Sequence, residues 1–238
     1  MENKLYEKKI IWNGDSICAG SKQTGSWATR IADNCGAECI NYAVGGGTVA
    51  EGLPKMKSGA ERHSVSATLE KMYEEHPDAD YVIFDGGTND ADLLGNVFDM
   101  DKSNRLGSFE PYNYDGNYDV TTFCGALESL FYRATKYWTG KKIGFIVAQK
   151  MGTDRRVFSN RRFYFDEAVE ICKKWGIPYL DLWNGCYLNP HMDSMYNPGK
   201  TPDQNRDENV CFYIDGQHLT SRGYDFTADI IENWLKTL

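Results

Sequence analysis

Five short apolar runs, separated by longer amphipathic stretches, restrict this chain to few folds. The runs are KIIW (9–12), ECINYAV (38–44), YVIFDG (81–86), KIGFIVA (142–148) and IPYLDL (177–182). Several are apolar at consecutive positions, the pattern of a strand covered on both faces. Between and after them apolar residues recur at helical spacing. One set is Val65, Leu69, Met72 and Tyr73, and a longer one is Phe123, Leu127, Leu130, Phe131, Ala134 and Trp138. Phe165, Val169 and Cys172 form a third, and Phe226, Ile230 and Trp234 a fourth. Strands alternating with helices predict a parallel sheet with helices on both faces. Right-handed crossovers then leave few topologies. We expect the order 2-1-3-4-5. Pro178 agrees, since that order makes the fifth strand an edge, where proline is tolerated best.

This three-layer α/β/α, flavodoxin-like plan suits the length. A chain of 238 residues fits one domain over 1–238 better than two. The charge is 26 basic against 34 acidic residues, a net of −8. No Lys/Arg-rich run stands out, which argues against a nucleic-acid groove or an anionic membrane surface as partner. No apolar run approaches the roughly 18 residues of a membrane span. MENKLYEKKIIW passes from charged residues directly into a strand, without the apolar core of a secretion signal. The expected compartment is the cytosol, or the exterior if a leader has been removed. Seven cysteines cannot all pair within one chain. No CxxC occurs, so we expect buried free thiols and neither a metal nor a cofactor.

The chemistry-bearing residues follow the strands. Strand one runs into Gly14-Asp15-Ser16, strand two into Gly45-Gly46-Gly47-Thr48, and strand three into Gly86-Gly87-Thr88-Asn89-Asp90. Asp215-Gly216-Gln217-His218 lies far downstream, before the last helix. The sheet order is expected to bring these four segments to one rim, the ligand-binding end of open α/β sheets. Acyl transfer needs a nucleophile, a base, a group that orients the base, and donors for the oxyanion. Ser16, His218 and Asp215 would fill the first three roles. The Ser16 and Gly46 N–H groups and the Asn89 amide would be the donors. Taken singly, each has a plainer reading. Ser16 could cap a helix, the glycines could be a flexible turn, Asn89 could cap the helix after strand three, and His63, His76 and His191 read as surface or loop residues. Asp15, Asp85 and Asp90 read as caps or backbone acceptors.

The conjunction resembles the SGNH hydrolases, also called GDSL esterases and lipases, over nearly the whole chain. GDSI at 14–17 is similar to the family's first block, NYAVGGGT at 41–48 to the second, GTND at 87–90 to the third, and DGQH at 215–218 to the last. The resemblance implies Ser16 as nucleophile, Asp215 and His218 as orienting acid and base, and Gly46 and Asn89 in the oxyanion hole with the Ser16 N–H. Two positions depart from the pattern. Ile17 replaces a common leucine, and Ala43 stands where the second block has its first glycine, which leaves Gly45 as the alternative to Gly46.

Two long connections, 91–119 and 184–213, carry Phe98, Phe109, Tyr112, Tyr114, Tyr118, Tyr187, Tyr196, Phe212 and Tyr213. Tyrosines among Asn, Asp and Gly suit a surface that stacks on a sugar ring, and no aliphatic lid is visible. The expected substrate is therefore a small-molecule acyl ester, with a short acyl group such as acetyl, carried on a carbohydrate. The plainer reading has these rings pinning the loops to the body. A lysophospholipase or thioesterase of the same family is an alternative. Outside it stand a non-catalytic flavodoxin-like ligand-binding domain and a nucleotide binder, the latter without a phosphate-loop motif.

Overall fold

A computed structural model describes residues 3–93, 106–152 and 161–238. Its centre is a five-stranded sheet made of β1 (Lys9–Asn13), β2 (Glu38–Asn41), β3 (Tyr81–Asp85), β4 (Lys142–Val147) and β5 (Tyr179–Asp181). All pairings are parallel and the order is β2-β1-β3-β4-β5. Ile10 lies opposite both Cys39 and Tyr81, and Phe145 opposite both Phe84 and Tyr179.

The chain reverses direction between β2 and β3, so the right-handed connections on either side of β1/β3 put their helices on opposite faces. On one face α1 (Ser16–Ala19) and α2 (Trp27–Cys35) follow β1. The other connections hold α3 (Leu69–Glu75), α4 (Thr88–Leu93), α5 (Phe123–Tyr137) and α6 (Arg161–Trp175). Then come α7 (Leu182–Gly185), α8 (Pro202–Glu208) and α9 (Ser221–Leu235), which returns to pack on α2. Ile10, Ile11, Trp12, Val82, Phe84, Phe145 and Ile146 are fully buried in the sheet. The two central strands end in polar residues, Asn13 and Asp85, that are buried as well. Polarity at those two ends marks where the sheet stops being core.

Four expectations shift in detail. The second run pairs only through Asn41, whose side-chain oxygen accepts from the Ala43 N–H at 3.0 Å and turns the chain off the sheet. Pro178 precedes β5 instead of lying in it, and its carbonyl accepts from the Phe145 N–H. In α9 the buried stripe is Tyr224, Thr227, Ala228, Ile231 and Leu235, while Phe226 is exposed. Counting apolar residues misses Thr227, whose hydroxyl donates to the Gly223 carbonyl and accepts from the Trp27 indole N–H at 2.9 Å. Val65 precedes α3 and bonds Thr48 instead. All seven cysteines carry free thiols, five of them buried. Among the described residues no helix is long and apolar enough to cross a membrane.

Candidate active site

Ser16 stands where β1 gives way to α1, and two aspartates hold that turn. Asp15 caps α1, its Oδ1 accepting from the Ile17 N–H at 2.8 Å. The capping role considered for Ser16 therefore belongs to Asp15, and the Ser16 hydroxyl is left over for another partner. Asp85, at the end of β3, accepts from the Asp15 N–H at 2.9 Å. Its carboxylate lies so close to Gly14 that a Cβ there would fall 1.9 Å from Asp85 Oδ1. The glycine of GDSI is thus a steric requirement. Burial, followed by the charge of Asp15, pushes the Asp85 carboxyl well above the usual carboxylate range, and burial raises Asp15 too.

The downstream segment supplies the partner. Asp215 Oδ1 accepts from the backbone N–H of Gln217 at 3.0 Å and of His218 at 2.8 Å, closing a tight turn. Gly216 takes φ +81° at its tip, a conformation that favours glycine. The turn is fastened from outside: Gln149 Nε2 donates to the Gln217 carbonyl at 2.9 Å, and the Gly152 N–H to the Gly216 carbonyl at 3.0 Å. His218 Nδ1 lies 2.8 Å from Asp215 Oδ2, and Nε2 lies 2.9 Å from Ser16 Oγ. An ionised carboxylate only accepts, so Nδ1 carries the proton and Nε2 is free to receive one from the serine. The bond to Asp215 raises the His218 pKa above the ordinary value against the opposing effect of burial. Burial would raise the Asp215 carboxyl, but the His218 bond and charge and the two N–H donors hold it below its ordinary value.

The glycine turn after β2 approaches from the other side. A Cβ on Gly45 would stand 3.9 Å from Ser16 Cβ. Gly46 has φ +77°, and a Cβ on Gly47 would meet the Val44 and Gly14 carbonyls at 2.9 and 3.0 Å. Asn89, in α4, donates from Nδ2 to the Gly47 carbonyl at 2.8 Å, leaving its second amide hydrogen for another acceptor. The Gly47 N–H is spent on the Val44 carbonyl, whereas the Ser16, Gly45 and Gly46 N–H groups have no partner among the described residues.

Three supports escaped the sequence reading, and a fourth, Asp90, was expected there as a cap or backbone acceptor. Arg62 Nη1 donates to the Gly46 carbonyl at 2.6 Å. His63 Nε2 lies 2.8 Å from Asn13 Oδ1, beneath the glycine turn. Buried Asp90 accepts from the Val49 and Ala50 N–H groups at 2.9 Å each, and burial moves its carboxyl to about 6. Arg161 Nη2 bridges Asp92 and Gln217 at 2.8 and 2.9 Å. Asp90 had a visible signal, its place in GTND and its expected role as a backbone acceptor. The others sit at unremarkable sequence positions.

The aromatic connections behave differently from the expectation of a stacking surface. Lys174 Nζ lies over the rings of Tyr114, Tyr118, Trp175 and Phe109 at 5.0 to 6.0 Å. Tyr213 is buried, with its hydroxyl on the Lys150 carbonyl at 2.7 Å. Phe212 packs on Phe226. These rings pin chain to body. Tyr112 and Tyr187 are exposed, Tyr196 is half-buried, and Phe98 lies outside the described residues.

Comparison with known proteins gives the family. Residues 13–226 match the GDSL-like lipase/acylhydrolase family, and the chain belongs to it. A protein from Lactobacillus plantarum has the same fold at TM-score 0.70 and 21% identity, over 98% of both chains. A lipase/acylhydrolase from Enterococcus faecalis is similar at TM-score 0.55 and 19% identity, over 97% of this chain and 96% of that one. A carbohydrate acetylesterase from Sinorhizobium meliloti is similar at 0.58 and 15%, over 97% and 99%. No curated protein is detectably similar in sequence.

Proposed function

We propose that the protein is a serine ester hydrolase that works through an acyl-enzyme on short-chain acyl esters. The observation that carries this reading is the continuous relay from Ser16 Oγ through His218 to Asp215, at 2.9 and 2.8 Å. Ser16 Oγ attacks the ester carbonyl and His218 Nε2 takes its proton. Asp215 holds the tautomer and favours the imidazolium that forms. The negative charge on the carbonyl oxygen meets the N–H groups of Ser16 and Gly46, with Gly45 adjacent, and the Asn89 amide. His218 then returns its proton to the departing alcohol, and water repeats the sequence on the acyl-enzyme. None of these steps draws on a metal, and among the described residues no cluster of three His, Cys, Asp or Glu side chains could hold one.

The acetylesterase neighbour supports a small acyl group on a carbohydrate. The aromatic connections lend that preference little, because most of their rings are committed to packing. A panel of p-nitrophenyl esters of rising chain length tests the reading. Activity highest on acetate and falling steeply by octanoate is expected. A maximum on long chains would favour the lipase or lysophospholipase alternative, and no turnover on any ester would reject the hydrolase reading.

A further inference from the structure

A cavity of about 330 Å³ opens beside the reacting atoms, within the range of small-molecule sites, roughly 300–1,000 Å³. Ser16 and His218 form one wall, and neither Gly46 nor Asn89 lines it. That asymmetry fixes what the space can receive. In a tetrahedral intermediate the carbonyl oxygen faces the oxyanion donors. The alcohol oxygen must face the base that protonates it, which is His218 Nε2. A cavity that reaches the base and the nucleophile but neither Gly46 nor Asn89 therefore lies on the side of the base, where the alcohol leaves.

Its lining describes the alcohol. Ile214 and Tyr224 offer an apolar wall, and Gln23 and Arg206 stand at the polar side. Ser21 and Thr24, also present, spend their hydroxyls on each other at 2.9 Å. Gln23 is exposed, and its carboxamide has no partner among the described residues. Arg206 is held by Asp207 on Nε and Asp203 on Nη1, both at 2.8 Å. Two carboxylates against one guanidinium leave no net positive charge to attract an anion. The guanidinium nitrogen unclaimed by them, Nη2, still has hydrogens to donate.

We propose that this cavity is the alcohol subsite, that it takes a neutral polyhydroxy alcohol the size of one sugar ring, and that Gln23 and Arg206 select it. The proposal rests on the acyl-enzyme reading above. It also implies a reaction in reverse. With the subsite filled, the alcohol oxygen attacks the acyl carbonyl carbon and gives its proton to His218 Nε2. The bond from that carbon to Ser16 Oγ breaks, and Oγ recovers the proton. The products are a new ester and free enzyme.

Partitioning of the acetyl-enzyme tests this directly. Wild-type protein turns over p-nitrophenyl acetate in the presence of methyl glucoside, glucose 6-phosphate or 1-propanol, and acetylated acceptor is measured against acetate. Transfer to methyl glucoside should saturate with concentration and exceed transfer to the phosphate. Transfer to propanol should stay linear. Gln23→Ala and Arg206→Gln should each cut the transfer-to-hydrolysis ratio at low methyl glucoside by roughly 3- to 10-fold, the loss of one hydrogen bond. Linear transfer to every acceptor, a preference for the phosphate, or unchanged ratios in both variants would overturn the subsite while leaving the hydrolase reading intact. No p-nitrophenol release at all would overturn that reading and the subsite with it.

Discussion

The connections after β3 and after β5 have similar compositions, rich in Tyr, Asn, Asp and Gly, and the structure uses them in opposite ways. The first wraps its rings around Lys174, whose ammonium sits on buried Glu128 at 2.5 Å, with the Trp175 indole on the same oxygen at 3.0 Å. The second ends in the Asp215–His218 turn that reaches Ser16. Lys174 and Arg161 mark the two ends of α6. Thirteen residues of helix separate them by about 20 Å, and it is Arg161 that contacts Gln217. A tyrosine-rich loop is thus no sign of a ligand surface. What distinguishes the two is what they are fastened to: a buried ion pair at the far end of the helix, or the rim of the sheet.

Breaking the rim should cost activity with little loss of stability. Asp215→Asn keeps a carbonyl oxygen for the Gln217 and His218 N–H groups but turns an N–H toward His218 Nδ1. A loss in kcat of as much as about 10⁴ is expected, on the precedent of other triads, with an unchanged melting curve. Near-wild-type turnover would show that Asp215 only shapes the turn. Asn89→Ala should lower kcat by roughly 10² to 10³ with little change in KM, since its amide is proposed to serve charge that develops in the transition state. A raised KM with unchanged kcat would move Asn89 to ground-state binding.

Breaking the far end should do the reverse. Lys174→Met leaves the Glu128 carboxylate buried without its counter-ion, with the Trp175 indole still on it, which should cost about 3–5 kcal/mol of unfolding free energy, read by urea denaturation. Ester turnover by the folded fraction should stay within a few-fold. A large fall in kcat/KM at full folding would place the aromatic connection in the site after all.

Most of this contrast was hidden in the sequence, whereas the sheet was not. Consecutive apolar residues such as those in YVIFDG are satisfied between two helical layers, so the parallel sheet was legible, while the order 2-1-3-4-5 was a choice among the few that right-handed crossovers leave. The four motif segments were legible because each follows a strand or precedes the last helix. What the rings of Tyr114 and Tyr118 contact depends on Lys174, roughly sixty residues away, and nothing local announces that. The same holds for Arg62 on Gly46 and Gln149 on Gln217, long-range bonds of ordinary residues to backbone. Thr227 shows a smaller failure, in which a hydroxyl satisfied by its own helix lets a polar residue occupy the buried face.

The smallest expected effect is on pH. His218 must be neutral to accept the Ser16 proton, and Asp215 raises its pKa above the ordinary 6.5. The fall in kcat/KM toward acid should therefore be centred above 6.5 in the wild type. A limb below that value would mean that Asp215 does not favour the imidazolium in the free enzyme. For stability the sign runs the other way. The raised His218 pKa contributes stabilisation that is present below the unfolded value and lost as pH rises through the folded one.

The central claim is that Ser16 is a nucleophile activated by His218. Incubation with a fluorophosphonate, followed by intact-mass and peptide analysis, reads it out without knowledge of the substrate. The account predicts one adduct per chain, located on Ser16, with none formed by Ser16→Ala and labelling strongly slowed in His218→Ala. Equal labelling of Ser16→Ala, or an adduct on another residue in the wild type, would contradict it.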